Sequence, residues 1–119
     1  KHFREYEFRC PCGCGLGFKD IDQASLGKLQ VARELAGVAF MITSSIRCVQ
    51  YNRSLPKASE TSSHLYGCAF DIYCSKSSDR WKIVDALMAS GFTRIGIGKD
   101  FIHADDDEYK PQQIMWVYS

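Results

Sequence analysis

Residues 62–71 read SSHLYGCAFD and place a histidine, His64, seven positions before an aspartate, Asp71. Gly67 lies between them, and a glycine allows the backbone to bend sharply at that point. The stretch CAFDIYC, residues 68–74, then alternates in the manner of a β-strand. The segment therefore predicts a turn followed by a strand, with a potential metal ligand on each.

Two amphipathic helices are predicted on either side of this segment. The first runs over residues 22–36 and is stopped by Gly37, since glycine favours the end of a helix. The second covers SSDRWKIVDALMASG, residues 77–91, where a serine or aspartate caps the start. The predicted apolar stripes are Leu26, Leu29, Ala32 and Leu35 in the first helix, and Trp81, Val84, Leu87 and Met88 in the second.

Short strands with β-branched and aromatic residues are predicted in the remaining chain, together with a helical turn around Tyr51. These strands cover residues 39–43, 68–74, 92–98, 101–105 and 114–118. Regular β-α-β alternation is absent, which favours an α+β domain with a small mixed or antiparallel sheet and two main helices. A length of 119 residues fits one domain, residues 1–119.

Composition excludes several classes of function. The formal net charge is +1, from 15 basic and 14 acidic residues, so no general electrostatic attraction to nucleic acid is expected. Apolar runs fall short of the ~20 residues that cross a bilayer, so no membrane span is predicted. Because the chain begins at Lys1 without a methionine, the sequence leaves its compartment open.

Six cysteines occur in the chain, and three of them lie in the stretch CPCGCG, residues 10–15. An even number permits disulfides without requiring them, so the state of Cys10, Cys12, Cys14, Cys48, Cys68 and Cys74 stays open. Alternating cysteines can also bind zinc, but the paired C-x-x-C spacing of structural zinc sites is missing. We interpret the segment as a cysteine-rich loop.

A third candidate ligand is His103, in the stretch DFIHAD, residues 100–105. Two imidazoles and one carboxylate are enough for a catalytic zinc site, which keeps a further position open. His64, Asp71 and His103 could form such a set. The spacing alone equally allows histidines that are only hydrogen-bonded beside strands, and it does not decide between the two interpretations.

The segment SSHLYGCAFD, together with DFIHAD, resembles the zinc D-alanyl-D-alanine carboxypeptidase and L-alanyl-D-glutamate endopeptidase family, which shares its fold with the hedgehog signalling domain. The family pattern Ser-x-His-x-x-Gly-x-Ala-x-Asp is filled at every position. Upstream, ITSSIRCVQYN, residues 42–52, is similar to the family's strand that ends in Thr-Ser-x-x-Arg, and WVY, residues 116–118, is similar to a common family terminus. The matching positions are Ser62, His64, Gly67, Ala69 and Asp71, and upstream Thr43, Ser44, Arg47 and Asn52.

The resemblance implies a hedgehog-like peptidase fold and a Zn²⁺ ion held by His64, Asp71 and His103. Such an ion would activate a water and polarise the scissile carbonyl. The family places an acidic residue three positions before its last histidine, which makes Asp100 the expected general base. Asp is one methylene shorter than the Glu common in the family, so its reach depends on the turn at Gly98.

Further roles follow from the same resemblance. Arg47 would bind a substrate carboxylate or the developing oxyanion, for which a planar, permanently charged group is suited. Ser62 and Asn52 would contact the substrate, and Asp105 would orient a ligand imidazole. A surface ion pair is the alternative for Arg47.

The implied substrate is a peptidoglycan stem peptide, cut by an endopeptidase or a carboxypeptidase that acts as a monomer on the cell wall. The place of action would be periplasmic, extracellular or, for a phage protein, the lysing cell. Two alternatives remain: a cysteine hydrolase that uses Cys68 beside His64, and a hedgehog-like domain that binds zinc without catalysis. Shortness of the domain favours an endopeptidase, since segments that would enclose a pocket are missing.

Overall fold

A computed structural model of the chain describes residues 2–118, within which three α-helices and five β-strands occur. The helices are α1 (Gln23–Ala36), α2 (Val49–Ser54) and α3 (Ser77–Ser90). The strands are β1 (Ile42–Ser44), β2 (Ala69–Tyr73), β3 (Arg94–Ile97), β4 (Phe101–Asp105) and β5 (Ile114–Val117). Short 3₁₀ segments lie at Glu5–Phe8, Phe18–Asp20 and Ser63–Tyr66.

The five strands form one mixed sheet in the order β1-β2-β4-β3-β5. Neighbouring strands are antiparallel except for β3 and β5, which run parallel. The predicted α+β class, with two long helices and a small sheet, is confirmed, and the architecture is consistent with a small hedgehog-like peptidase fold.

The two faces of the sheet differ in chemistry because side chains alternate along each strand. One face contributes buried apolar residues to the core shared with α1 and α3: Phe70 and Ile72 of β2, Ile95 of β3, and Ile102 and Ala104 of β4. The other face carries Asp71 and His103, which lie directly opposite each other on β2 and β4. The alternation predicted for residues 68–74 therefore holds, and it separates the core from the polar face.

Helix α1 begins and ends where the sequence predicts. The Asp22 carboxylate accepts a hydrogen bond from the backbone N–H of Ser25, and Gly37 ends the helix with φ of 69°, a conformation that favours glycine. One member of the predicted stripe is wrong: Leu35 is 59% exposed, and Ala36 is buried in its place. Successive residues of a helix lie about 100° apart, so a small rotation of the buried face exchanges one neighbouring position for the other.

Helix α3 covers the predicted segment, but the predicted serine or aspartate cap is wrong, since the N-cap is Lys76 and no side chain caps the helix. Its buried stripe also differs from the predicted one. The core residues are Ile83, Ala86 and Leu87, whereas Trp81 is 78% and Met88 55% exposed. Successive residues of a helix lie about 100° apart, so two neighbouring apolar stripes fit the same periodicity. Packing against α1 selects the stripe of smaller side chains.

Strand β1 is shorter and begins later than predicted, at Ile42 rather than Ala39. Met41 still accepts a hydrogen bond from the Tyr73 N–H at 2.8 Å, but the register shifts between Ile42 and Ser44. That irregularity limits the strand to three residues. Within residues 2–118, no helix has the length and apolar character that crossing a bilayer requires.

Candidate active site

The polar face of the sheet brings together the three predicted ligands, which we call the His–Asp–His cluster (His64, Asp71 and His103). Asp71 and His103 are cross-strand partners, and the His103 Nδ1 lies 2.9 Å from the Asp71 Oδ1. The His64 Nε2 approaches the same carboxylate oxygen at 3.3 Å. One potential ligand atom from each residue lies within 4.8 Å of the others, so a single ion could contact all three.

His64 reaches the cluster from the 3₁₀ turn Ser63–Tyr66 rather than from a strand. Its carbonyl accepts a hydrogen bond from the Arg47 N–H at 3.0 Å. Gly67 ends the turn with φ of 71°, and a Cβ there would lie 2.7 Å from the Asp20 carbonyl oxygen. Glycine is therefore required at position 67 for two reasons: the backbone conformation there, and the close packing that leaves no room for a Cβ.

Both imidazoles use one ring nitrogen for a contact that fixes the ring, and this leaves the other nitrogen for a ligand. The His64 Nδ1 lies 2.7 Å from the Ser45 carbonyl oxygen, to which it can only donate. The His103 Nε2 lies 2.6 Å from a carboxylate oxygen of Asp105. Metal-binding histidines usually make such outer contacts. Two oriented imidazoles and a carboxylate form a donor set that fits zinc.

Asp105 is itself held in place from β3. It is fully buried, and its Oδ1 accepts a hydrogen bond from the Arg94 Nε at 2.8 Å. The Arg94 guanidinium lies 5.2 Å from the centre of the Trp116 ring. The expected contact between Asp105 and a cluster imidazole is therefore present, and it continues into a supporting chain of Arg94 and Trp116.

Electrostatics of the cluster keep Asp71 ionised. Burial by itself would raise the pKa of Asp71, but hydrogen bonds from His103 and His64 outweigh it and hold the pKa below its ordinary value. Burial lowers the pKa of His64 and so favours the neutral imidazole that binds metals. Burial would also lower the pKa of His103, but its hydrogen bonds to Asp105 and Asp71 raise it.

Arg47 lies beside the cluster, with its guanidinium held on several sides. Its Nε donates to the Ser44 hydroxyl at 3.2 Å, and its Nη1 donates to the Asn52 Oδ1 at 3.1 Å. Its Nη2 lies 3.7 Å from the Asp71 Oδ2. Burial lowers the pKa of Arg47, and the Asp71 charge opposes this. The group is directed toward the cluster.

Asn52 and Ser62, two predicted substrate contacts, both take part in internal hydrogen bonds. Asn52 is 2% exposed, accepts from Arg47 and donates from its Nδ2 to the Ser59 carbonyl at 2.8 Å. The Ser62 hydroxyl accepts from the His64 N–H at 3.3 Å and is half-buried. Asn52 thus holds Arg47, while Ser62 supports the turn that carries His64.

Asp100 lies in the turn before β4 and is not one of the three ligand residues of the His–Asp–His cluster. It is exposed, and its carbonyl accepts a hydrogen bond from the Cys74 N–H at 2.9 Å. This bond extends the β2–β4 pairing by one residue beyond Tyr73 and Phe101. The general-base role of Asp100 therefore stays a prediction.

Two aromatic residues at the site were not singled out as functional by the sequence. Trp116 and Tyr118 lie on the polar face, and the Trp116 ring centre is 5.5 Å from that of His103. Gly96 of β3 pairs with His103 on one side and with Trp116 on the other. A Cβ at Gly96 would come within 2.7 Å of the Trp116 indole and of the Tyr118 ring. The alternation of residues 114–118 was a usable signal, because it puts both aromatics on the face of His103.

Cys68 does not have the environment of a nucleophile. Its side chain is buried and donates to the Ser63 carbonyl at 3.5 Å. Burial, together with the nearby acidic side chains, raises the pKa of Cys68 to about 12. A reactive cysteine needs a lowered pKa, so the cysteine-hydrolase alternative is disfavoured.

Comparison with known proteins agrees with the chemistry of the cluster. A family model described as Peptidase M15 matches residues 1–105, which include all three cluster residues and Arg47. A search of curated proteins finds no significant match. Because the family match covers most of the 119 residues, it establishes the family without indicating a particular member. The chain belongs to the peptidase M15 family.

Proposed function

We propose that the chain is a zinc-dependent endopeptidase that hydrolyses peptide bonds of peptidoglycan stem peptides. The observation that carries this proposal is the His–Asp–His cluster, in which two imidazoles and a carboxylate converge with their outer atoms already bonded. Membership of the peptidase M15 family supports hydrolysis of a peptide bond. Three protein ligands leave a position open, as catalytic zinc sites require.

His64, Asp71 and His103 would hold the ion on the polar face of the sheet. When bound, zinc supplies Lewis-acid polarisation of the scissile carbonyl and lowers the pKa of water toward ~7. The contacts from Ser45 and Asp105 fix the two imidazoles before substrate arrives, so little reorganisation is needed during the reaction.

Arg47 is proposed to stabilise the negative charge that develops on the carbonyl oxygen. Its hydrogen bonds to Ser44 and Asn52 use part of the guanidinium, and the Nη2 group faces the cluster. Because the guanidinium is already oriented, it can stabilise the transition state without a reorganisation cost. Asn52 takes part as a positioning residue, and Ser62 supports the turn of His64 and can still donate its hydroxyl proton to a substrate.

Asp100 remains the proposed general base, and for this role its carboxylate has to reach the water beside the ion. The turn of Gly98–Asp100 would carry the carboxylate there when substrate binds, since contacts with a catalytic base often tighten only at that stage. An Asp100→Asn variant tests the assignment directly.

Endopeptidase action is the form of the proposal that the aromatic side chains beside the cluster favour. The polar face continues from His103 to Trp116 and Tyr118, and Tyr118 is substantially exposed. An extended peptide could lie along this surface on both sides of the cut bond. A carboxypeptidase would instead need a closed end that recognises a terminal carboxylate.

Digestion of purified peptidoglycan, with mass spectrometry of the released ends, tests the proposal. We expect new amino and carboxyl ends inside the stem peptide for the wild type, and none for a His64→Ala variant. Release of single terminal D-alanine residues would indicate a carboxypeptidase. Absence of any cleavage between pH 6 and 9 by zinc-loaded protein would overturn the enzyme proposal and favour a hedgehog-like binding domain.

A further inference from the structure

A second group of metal-binding side chains lies away from the His–Asp–His cluster. We call it the four-cysteine cluster (Cys10, Cys12, Cys14 and Cys48). Its four sulfur atoms all lie within 4.8 Å of one another. Three come from the loop that follows the first 3₁₀ segment, and the fourth comes from the residue that caps α2. The fold thus brings Cys48 next to three cysteines that lie at least 34 positions before it in the chain.

The backbone of residues 10–16 is folded so that alternate cysteines point inward. The Cys10 N–H donates to the Leu16 carbonyl at 2.9 Å and closes the loop. Gly13 and Gly15 adopt φ values of 79° and 100°, which favour glycine. An extended strand would put residues 10, 12 and 14 on one face but spread them along its length. The glycine turns gather them instead.

Distances between the sulfur atoms fit a tetrahedral metal site. The Cys10 and Cys12 sulfurs are 3.6 Å apart, and those of Cys12 and Cys48 are 3.5 Å apart. Four thiolates at 2.3 Å from a zinc ion would lie about 3.8 Å from one another. A single disulfide would join only two of the sulfurs, and two separate disulfides would be needed to use all four, whereas one metal ion binds the whole set.

Backbone N–H groups point at two of the sulfurs, as they do around metal-bound thiolates. The Cys48 N–H donates to the Cys10 Sγ at 3.4 Å, and the Tyr51 N–H donates to the Cys48 Sγ at 3.3 Å. Such donors stabilise negative charge on sulfur and tune the bond to the metal. Thiolate ligands select zinc over the hard cations magnesium and calcium.

We propose that Cys10, Cys12, Cys14 and Cys48 bind one zinc ion in a closed structural site, separate from the ion of the His–Asp–His cluster. The site fastens the N-terminal loop to the start of α2. Arg47 directly precedes Cys48 in the chain, and its Nη2 lies 3.7 Å from the Asp71 Oδ2. The ion would therefore anchor the segment that directs Arg47 toward Asp71. The proposal does not depend on the substrate of the enzyme.

Zinc content of the full chain, purified under reducing conditions without added metal, tests the proposal. We expect about two zinc ions per wild-type chain and about one in a double variant, Cys12→Ser with Cys48→Ser. The control is Cys68→Ser, which removes a thiol outside the four-cysteine cluster and should retain both ions. In His64→Ala, one ion should remain, so this result is separable from failure of the peptidase proposal.

Reconstitution with Co²⁺ identifies the ligands. Thiolate-to-cobalt charge-transfer absorption should appear in the wild type and in His64→Ala, and it should be lost in the double cysteine variant. If that variant does not fold, titration of the wild type with an organomercurial should release one zinc ion as four thiols react. Absence of the charge-transfer band, or a wild type whose only zinc disappears in His64→Ala, would overturn the proposal.

Discussion

The His–Asp–His cluster and the four-cysteine cluster each bring potential metal ligands close together, but different backbone elements position the ligands in each. The first takes Asp71 and His103 from facing strands, and hydrogen bonds to Ser45 and Asp105 fix its rings. The second takes three of its members from one loop that turns at two glycines, and two of its cysteines, Cys12 and Cys14, are exposed. Three ligands suit a site that must admit substrate, whereas four thiolates leave no position open. Ligand number therefore distinguishes the proposed reactive site from the proposed structural one.

The largest effect is expected from breaking the His–Asp–His cluster alone. A His64→Ala variant should lose one zinc ion and about 10⁴-fold in kcat/KM, because several kcal/mol of charge stabilisation leave with the metal. Rates on a muropeptide and zinc content are measured together. A variant that keeps full activity would show that the three residues are not the reactive site.

Replacing the proposed base should affect the chemistry without affecting either metal. Asp100→Asn is expected to lower turnover by roughly 10²–10⁴-fold, the usual contribution of a positioned proton acceptor, with zinc content unchanged. The matched control is Asp79→Asn, at an acidic position in the first turn of α3. Equal rates for Asp100→Asn and the wild type would remove Asp100 from the mechanism.

Arg47 lies beside the His–Asp–His cluster and directly precedes Cys48 of the four-cysteine cluster. Arg47→Lys should lower kcat by about 10²–10³-fold, since a lysine cannot reproduce the hydrogen bonds to Ser44 and Asn52 while facing the cluster. Zinc content should not change. The control is Arg53→Lys, an exposed position on α2. A rise in KM with kcat unchanged would mean that Arg47 binds the substrate equally in its ground and transition states.

A smaller effect is expected from the residue behind His103. Asp105→Asn should weaken zinc binding at the His–Asp–His cluster or activity by about 10–100-fold, because the imidazole loses its charged partner. Affinity is measured by competition with a chelator. The thiolate-to-cobalt band of the four-cysteine cluster should be unchanged, and a change there would mean that the variant disturbs the whole fold.

The smallest effect concerns Cys68, which belongs to neither cluster. Cys68→Ala should change kcat/KM by less than about twofold, since its raised pKa keeps it a thiol at neutral pH. Its alkylation should accelerate only as pH rises toward about 12. Rapid alkylation at pH 7 with loss of activity would restore the cysteine-hydrolase alternative.

Local sequence patterns were sufficient to predict much of the fold and the candidate ligand residues. The end of α1 at Gly37 and the alternation along β2 depend on neighbouring residues, so the sequence predicts them correctly. The choice of Trp81 rather than Ile83 for the core of α3 was wrong, because two stripes fit one helical period and only packing selects between them. The signal for His64, Asp71 and His103 came from residue type together with the family resemblance.

The sequence by itself determined the α+β class, the turn and strand around Asp71, and the residue types of the His–Asp–His cluster. Only the tertiary structure decided which distant residues meet. It joined Cys48 to the loop of residues 10–16 and set Trp116 beside His103 across Gly96. The physical reason is that turns and alternation are local properties of the backbone, whereas these contacts depend on strand order and register across the whole sheet.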